Sequence, residues 1–123
     1  MEAQVAWERG LVDTDDFDDQ RRGADPQVLL DYLMTHQPDE EIVVVHGDIT
    51  EANVLVSVGR DCGASLIDVA RLGVGDRWRD LALAERTVRS LWGGSLVAEF
   101  FDLYAVAIDM SRIEYFQVLD EFF

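Results

Sequence analysis

The sequence predicts an α+β domain in which helices dominate. Apolar residues recur at helical spacing in residues 26–36 and again from Arg77 onward, and short β-branched runs lie between those two stretches. The breaks between these segments fall on Gly, Pro and capping residues. At 123 residues the chain is long enough for one domain, which buries roughly two-thirds of the surface its unfolded form exposes.

Residues 2–10 suit a short helix, and residues 12–22 are dense in acid with few apolar anchors, which predicts a loop. Asp25-Pro26 supplies an N-cap followed by proline at the first helical position. Val28, Leu29, Tyr32 and Leu33 then form an apolar face to about His36, and Pro38 ends the helix. Residues 42–45, 54–58 and 64–67 read as short buried strands, the last two joined by the turn Gly59-Arg60-Asp61-Cys62-Gly63. From Arg77 a 3.6-residue period offers Trp78, Leu81, Ala82, Ala84, Val88 and Leu91 to one face until Gly93-Gly94. Ser95 is expected to cap a helix that packs through Leu96, Phe100, Leu103, Tyr104 and Ala107. Ser111 is expected to open a last helix carrying Ile113, Phe116, Val118 and Leu119.

Charge narrows the function classes. The net charge is -15, from 25 acidic against 10 basic residues, and every basic residue is arginine. Nucleic acid and anionic membranes both require clustered positive charge, so neither is an expected partner. A cationic ligand would be drawn in, although the same surface also serves plain solubility. The lone Cys62 excludes an internal disulfide and has no metal-ligand companions in sequence. No basic segment followed by an apolar one opens the chain, and no run approaches the roughly 20 apolar residues that span a bilayer. The expected compartment is the cytoplasm.

The most informative stretch is His46-Gly47-Asp48-Ile49-Thr50-Glu51-Ala52-Asn53, set between two expected strands and followed by Ile67-Asp68 at the end of a third. Phosphoryl transfer to an alcohol needs a carboxylate to accept the hydroxyl proton and oxygen ligands to hold magnesium against the phosphates. Asp48, Asn53 and Asp68 supply that set in the order found in protein kinases, with the same spacing from aspartate to asparagine. Read singly, each residue is an ordinary turn or strand-end residue. Their combination points to a kinase-type site. The acidic run Asp13-Thr14-Asp15-Asp16-Phe17-Asp18 lacks the glycine of an EF-hand loop, and on residue types alone it reads as a solvated surface.

His46-Gly47-Asp48 to Asn53, the stretch 67–77, Asp80-Leu81-Ala82-Leu83-Ala84 and the terminal Leu119-Asp120-Glu121-Phe122-Phe123 together resemble the aminoglycoside 3'-phosphotransferases, the kanamycin and neomycin kinases, over nearly the whole chain. The resemblance implies the carboxy-terminal lobe of a protein-kinase-like fold, mainly helical with a few short strands around the catalytic loop. It implies ATP-dependent phosphorylation of the 3'-hydroxyl of an aminoglycoside, an antibiotic-resistance activity, with Mg2+ as cofactor. Asp48 would be the base, Asn53 and Asp68 the magnesium ligands, and His46 and Asp80 structural supports of the loop. Asp16, Asp18 and Asp19 would form one wall for the cationic substrate, Asp120, Glu121 and the Phe123 carboxylate another, with Arg71 and Arg86 at further pocket positions. Ammonium groups are best held by carboxylates through charge-assisted hydrogen bonds, which agrees with the net charge.

Two departures from the family pattern stand out. Thr87 and Ser90 occupy positions that are acidic in some neomycin kinases, which bears on drug range. A chain without lysine also cannot supply the lysine that pairs with the nucleotide phosphates, so residues 1–123 are expected to be the carboxy-terminal lobe without its amino-terminal nucleotide lobe and to be inactive alone. The competing expectation is a non-catalytic acidic module that binds polycations.

Overall fold

The computed structural model describes residues 1–123, which divide into two units: Met1–Asp39 with Glu114–Phe123, and Glu40–Ile113. In the first, helix α1 (Glu2–Glu8) is followed by a 3-10 turn at Thr14–Asp16 and by helix α2 (Pro26–Thr35). The Asp25 side chain accepts from Gln27 N at 2.9 Å, so the expected Asp-Pro start is realised. The buried face of α2 is Leu30 and Leu33, whereas Val28 is 62% exposed. The 28-29-32-33 stripe is therefore rotated, because Val28, Leu29, Leu30 and Leu33 offer more than one apolar face and packing chooses among them. The acidic run is better anchored than its composition suggests. Phe17 is buried, with its ring 6.4 Å from that of Phe122, which is also buried.

The second unit opens with strand β1 (Ile42–Val45), then strands β2 (Val54–Val56), β3 (Ala64–Leu66) and β4 (Gly73–Asp76), and helices α3 (Trp78–Trp92) and α4 (Ser95–Tyr104). Helix α5 (Met110–Asp120) begins in this unit and continues in the first. Two antiparallel pairs form: β1 with β4, from Ile42 opposite Asp76 to Val45 opposite Gly73, and β2 with β3, from Val54 opposite Leu66 to Val56 opposite Ala64. Strand β4 was not expected, since glycine at alternate positions removes the usual strand signal. It exists because β1 supplies its hydrogen bonds. None of the three expected strands is buried throughout: in β1 only Val45 is buried while Ile42 and Val44 are more than half exposed, and in β2 and β3 Leu55, Val56 and Leu66 are each more than half exposed. β-branched content favours extended backbone but does not decide whether a second layer covers it.

Trp78, Leu81, Ala82 and Leu83 of α3 join Val97 and Phe101 of α4 in the core of this unit, where the Trp78 and Phe101 rings stack at 5.9 Å. The face of α4 is offset by one residue from the expected one, and Leu103 is 82% exposed. Gly94, not Ser95, holds the N-cap position, and no side chain caps the helix. The helix stops at Tyr104, before Ala107, where Ala105 turns left-handed at φ 62°. Helix α5 starts one residue earlier than expected, and Asp109 caps it by accepting from the Ser111 and Arg112 amides at 3.0 and 3.1 Å. No helix is long and apolar enough to cross a membrane.

Candidate active site

Strand β1 delivers the chain directly into His46-Gly47-Asp48, and three sets of hydrogen bonds fix that turn. The Asp80 carboxylate, on the first turn of α3, accepts from His46 N at 2.7 Å and from Gly47 N at 2.8 Å. The buried His46 ring contacts Ile67 O through Nε2 at 2.8 Å, while Nδ1 faces Asp48 N at 3.3 Å. A carbonyl can only accept and an amide can only donate, so the network assigns the neutral tautomer protonated at Nε2. Asn53, buried at the end of the 3-10 turn Glu51–Asn53, donates from Nδ2 to Asp48 O at 2.8 Å and to Asp48 Oδ2 at 3.3 Å. Its own carbonyl accepts from Ile67 N at 3.0 Å.

These contacts bring together the residues that spacing singled out. Asp48 and Asn53 touch, and Asp68 follows immediately on Ile67, whose backbone is bonded to both His46 and Asn53. Asp68 is exposed, adopts the left-handed conformation at φ 55°, and opens the 3-10 turn Val69–Arg71. Left-handed backbone in a non-glycine residue is a local strain that recurs at functional sites. The side-chain hydrogen bonds of Asn53 use its nitrogen, not Oδ1, and the second oxygen of Asp48 likewise makes no hydrogen bond.

Gly47 marks where the two loops meet. Its φ is +84°, and a Cβ there would lie 2.6 Å from the Arg71 carbonyl oxygen and 2.8 Å from Arg71 Cβ. Gly47→Ala should therefore combine left-handed strain with a backbone clash and cost about 2–5 kcal/mol. A urea titration checks this, expecting a lower midpoint with the slope unchanged.

In the first unit the buried Arg21 gathers carboxylates. Its Nη1 lies 2.6 Å from Asp18 Oδ2 and 3.6 Å from Glu121 Oε1, and its Nη2 lies 3.0 Å from Glu114 Oε1. Asp18 N donates to both oxygens of Glu121, at 3.1 and 3.3 Å. The structure thus joins Asp18 and Glu121, two of the expected substrate carboxylates, and gives them an internal cation. Asp16 and Asp19 are exposed, with Asp19 paired to Arg22 at 2.6 Å. Asp120 is half-buried and Phe123 exposed. In the second unit Arg71 is exposed and Arg86 half-buried on α3. Sequence reasoning missed Arg21, since nothing in the acidic run distinguishes it from Arg22.

The model of the phosphotransferase enzyme family matches residues 1–116. The chain belongs to that family. Among curated relatives it is 37% identical to an aminoglycoside 3'-phosphotransferase of Enterococcus faecalis, over 91% of this chain and 42% of that protein. It is 40% identical to one of Streptomyces fradiae, over 100% of this chain and 50% of the relative. The chain thus spans about half the length of the curated relatives it matches. The solved structure of a type VIII aminoglycoside-3'-phosphotransferase superposes with a TM-score of 0.84 at 35% identity, covering 99% of this chain and 48% of that one. An aminoglycoside phosphotransferase of Streptomyces rimosus, solved with ADP and streptomycin, gives 0.84 at 30% identity, over 98% and 49%. The protein-kinase-like α+β architecture expected from the motifs is the one this phosphotransferase family member adopts.

The Asp18–Glu121 contact carries a pH signature. Burial pushes the Glu121 carboxyl up to about 7, aided by its hydrogen bond to the Asp18 side chain and by the Asp18 charge, and opposed by the Asp18 amide and Arg21. An acid whose folded pKa exceeds its unfolded one binds its proton more tightly in the native state. Its stabilising contribution is full below the ordinary value of 4.5 and is lost as pH rises through about 7. The urea midpoint should fall between those limits, and Glu121→Gln should flatten the fall; equal slopes in both proteins would refute the assignment.

Proposed function

We propose that this chain provides the catalytic loop of an enzyme that transfers the γ-phosphoryl group of ATP to the 3'-hydroxyl of an aminoglycoside. The observation that carries this reading is the Asp48–Asn53 pair. Asn53 orients the Asp48 carboxylate through one oxygen and leaves the other open to a substrate hydroxyl. In the reaction the hydroxyl oxygen bonds to the γ-phosphorus, the bond from phosphorus to the β,γ-bridging oxygen breaks to release ADP, and Asp48 accepts the hydroxyl proton. Because catalysis of this kind is chiefly positioning, the work of the chain lies in the bonds that hold Asp48: Asp80 on the His46 and Gly47 amides, and His46 on the Asp48 amide.

The donor set suits Mg2+. Asn53 Oδ1 and the Asp68 carboxylate are hard oxygen ligands, and no cluster of three or more His, Cys, Asp or Glu forms a protein cage. Magnesium is commonly held by one or two side chains together with substrate phosphates and water. When bound it would neutralise phosphate charge.

For the cationic substrate we propose Asp16, Asp18, Asp19, Asp120, Glu121 and Phe123 of the first unit, and Arg71 and Arg86 of the second. The proposed setting is the cytoplasm. The 123 residues contain no lysine to clamp the nucleotide phosphates, so turnover is proposed to need a lysine-bearing amino-terminal lobe. Calorimetric titration of kanamycin into the folded chain tests the substrate assignment, with salt-weakened binding near one site per chain as the expected result. An absence of heat from a folded sample overturns it. Truncation at Asp120 is a poor test, because it also removes the buried Phe122, 1% exposed; Asp120→Asn is the cleaner variant.

A further inference from the structure

The structure assigns Asp76 as a positioning residue for the catalytic turn, acting through strand β1. This deepens the proposed phosphoryl transfer and rests on that reading for its functional meaning. Asp76 is the last residue of β4, 6% exposed, and stands four residues before Asp80. Its Oδ2 accepts from Glu41 N at 2.8 Å, at the entry to β1, and its Oδ1 accepts from Trp78 N at 2.8 Å, at the start of α3. Asp80 grips the other end of the same strand through the His46 and Gly47 amides. Strand β1, only four residues long, is thus tied to one segment at both ends. The ladder with β4 holds β1 along its length, and the two carboxylates hold the backbone on either side of that ladder, the far side being the turn that leads into Asp48.

The anchorage is reinforced around Glu41. Arg77 N donates to Glu41 O at 3.0 Å, Trp78 Nε1 donates to Glu41 Oε1 at 3.4 Å, and Arg77 Nε lies 3.0 Å from Glu41 Oε2. Arg112, on the first turn of α5, places Nη1 at 3.6 Å from Glu41 Oε1 and 3.9 Å from Asp76 Oδ2. A buried carboxylate needs such compensation: two amides and a nearby guanidinium satisfy Asp76 where an uncompensated charge would expel it. Asp76 touches no reacting atom in this scheme, and its effect reaches Asp48 through the backbone of residues 42–47.

The test uses the isotopically labelled chain itself. In Asp76→Asn, which keeps the shape but turns one accepting oxygen into a donor, the His46, Gly47 and Asp48 amides should shift in the NMR spectrum. The His46 and Gly47 amides should also exchange with solvent about tenfold faster. The Val88 amide, in the middle of α3 and well along the helix from the Asp76 contact, should exchange as in the parent, which separates loss of position from loss of stability. If Asp76→Asn does not fold, Arg112→Met leaves both Asp76 hydrogen-bonding partners in place and should speed the same two amides about threefold. Unaltered shifts and exchange at 46–48 in a folded variant overturn the assignment. No nucleotide or aminoglycoside enters the measurement, so a negative kanamycin titration and a negative exchange result remain distinguishable.

Discussion

In a two-lobe enzyme carrying this chain, Asp48→Ala is expected to lower the phosphorylation rate by about 10²–10⁴-fold while aminoglycoside affinity stays near the parent value. The asymmetry follows from the geometry. The hydrogen bonds of Asp48 go only to the His46 ring, through its backbone N–H, and to Asn53, and its second carboxylate oxygen makes none. Its removal therefore takes away the proton acceptor without dismantling the turn, which Asp80 continues to hold. Steady-state kinetics with kanamycin would read this as a fall in kcat with KM nearly constant. An Asp48→Ala enzyme of parental activity would sink the assignment of the base.

Arg21→Met should have the largest effect on stability, about 3–5 kcal/mol, because it strips the cation from Asp18 and Glu121 and weakens the hold on Glu114. Arg21 is 6% exposed, so water cannot replace the guanidinium without opening the structure. Arg22, one position later, is the control. Its pair with Asp19 is exposed on both sides, 72% and 88%, and Arg22→Met should change stability by less than about 0.5 kcal/mol. Urea denaturation of both variants at neutral pH checks the contrast. Equal midpoints would mean that the buried cluster contributes no more than a surface pair.

The candidate catalytic residues were legible because chemistry fixes both their types and their order. A base, an amide and a second carboxylate at kinase spacing, each beside a short apolar run, leave few alternative readings. The structure adds what holds them. Asp80 was expected to support the loop, but its two amide bonds and the close approach of Arg71 to Gly47 depend on residues distant in sequence coming together. Strand β4 was invisible for the same reason: Gly73 and Gly75 carry no strand signal, and the pairing with β1 alone makes them extended.

By itself, the sequence determined the helices and the strands β1 to β3, the acidic charge and the identity of the chemical groups, since these follow from local periodicity, turn chemistry and residue composition. Tertiary structure alone decided which apolar face of α2 and α4 is buried, which of two adjacent arginines becomes the hub of a carboxylate cluster, and that Asp76 and Asp80 tie down opposite ends of β1. Those outcomes depend on burial and on partners many residues away. A buried charge or amide must find a partner wherever the fold puts one, and local sequence does not carry that information.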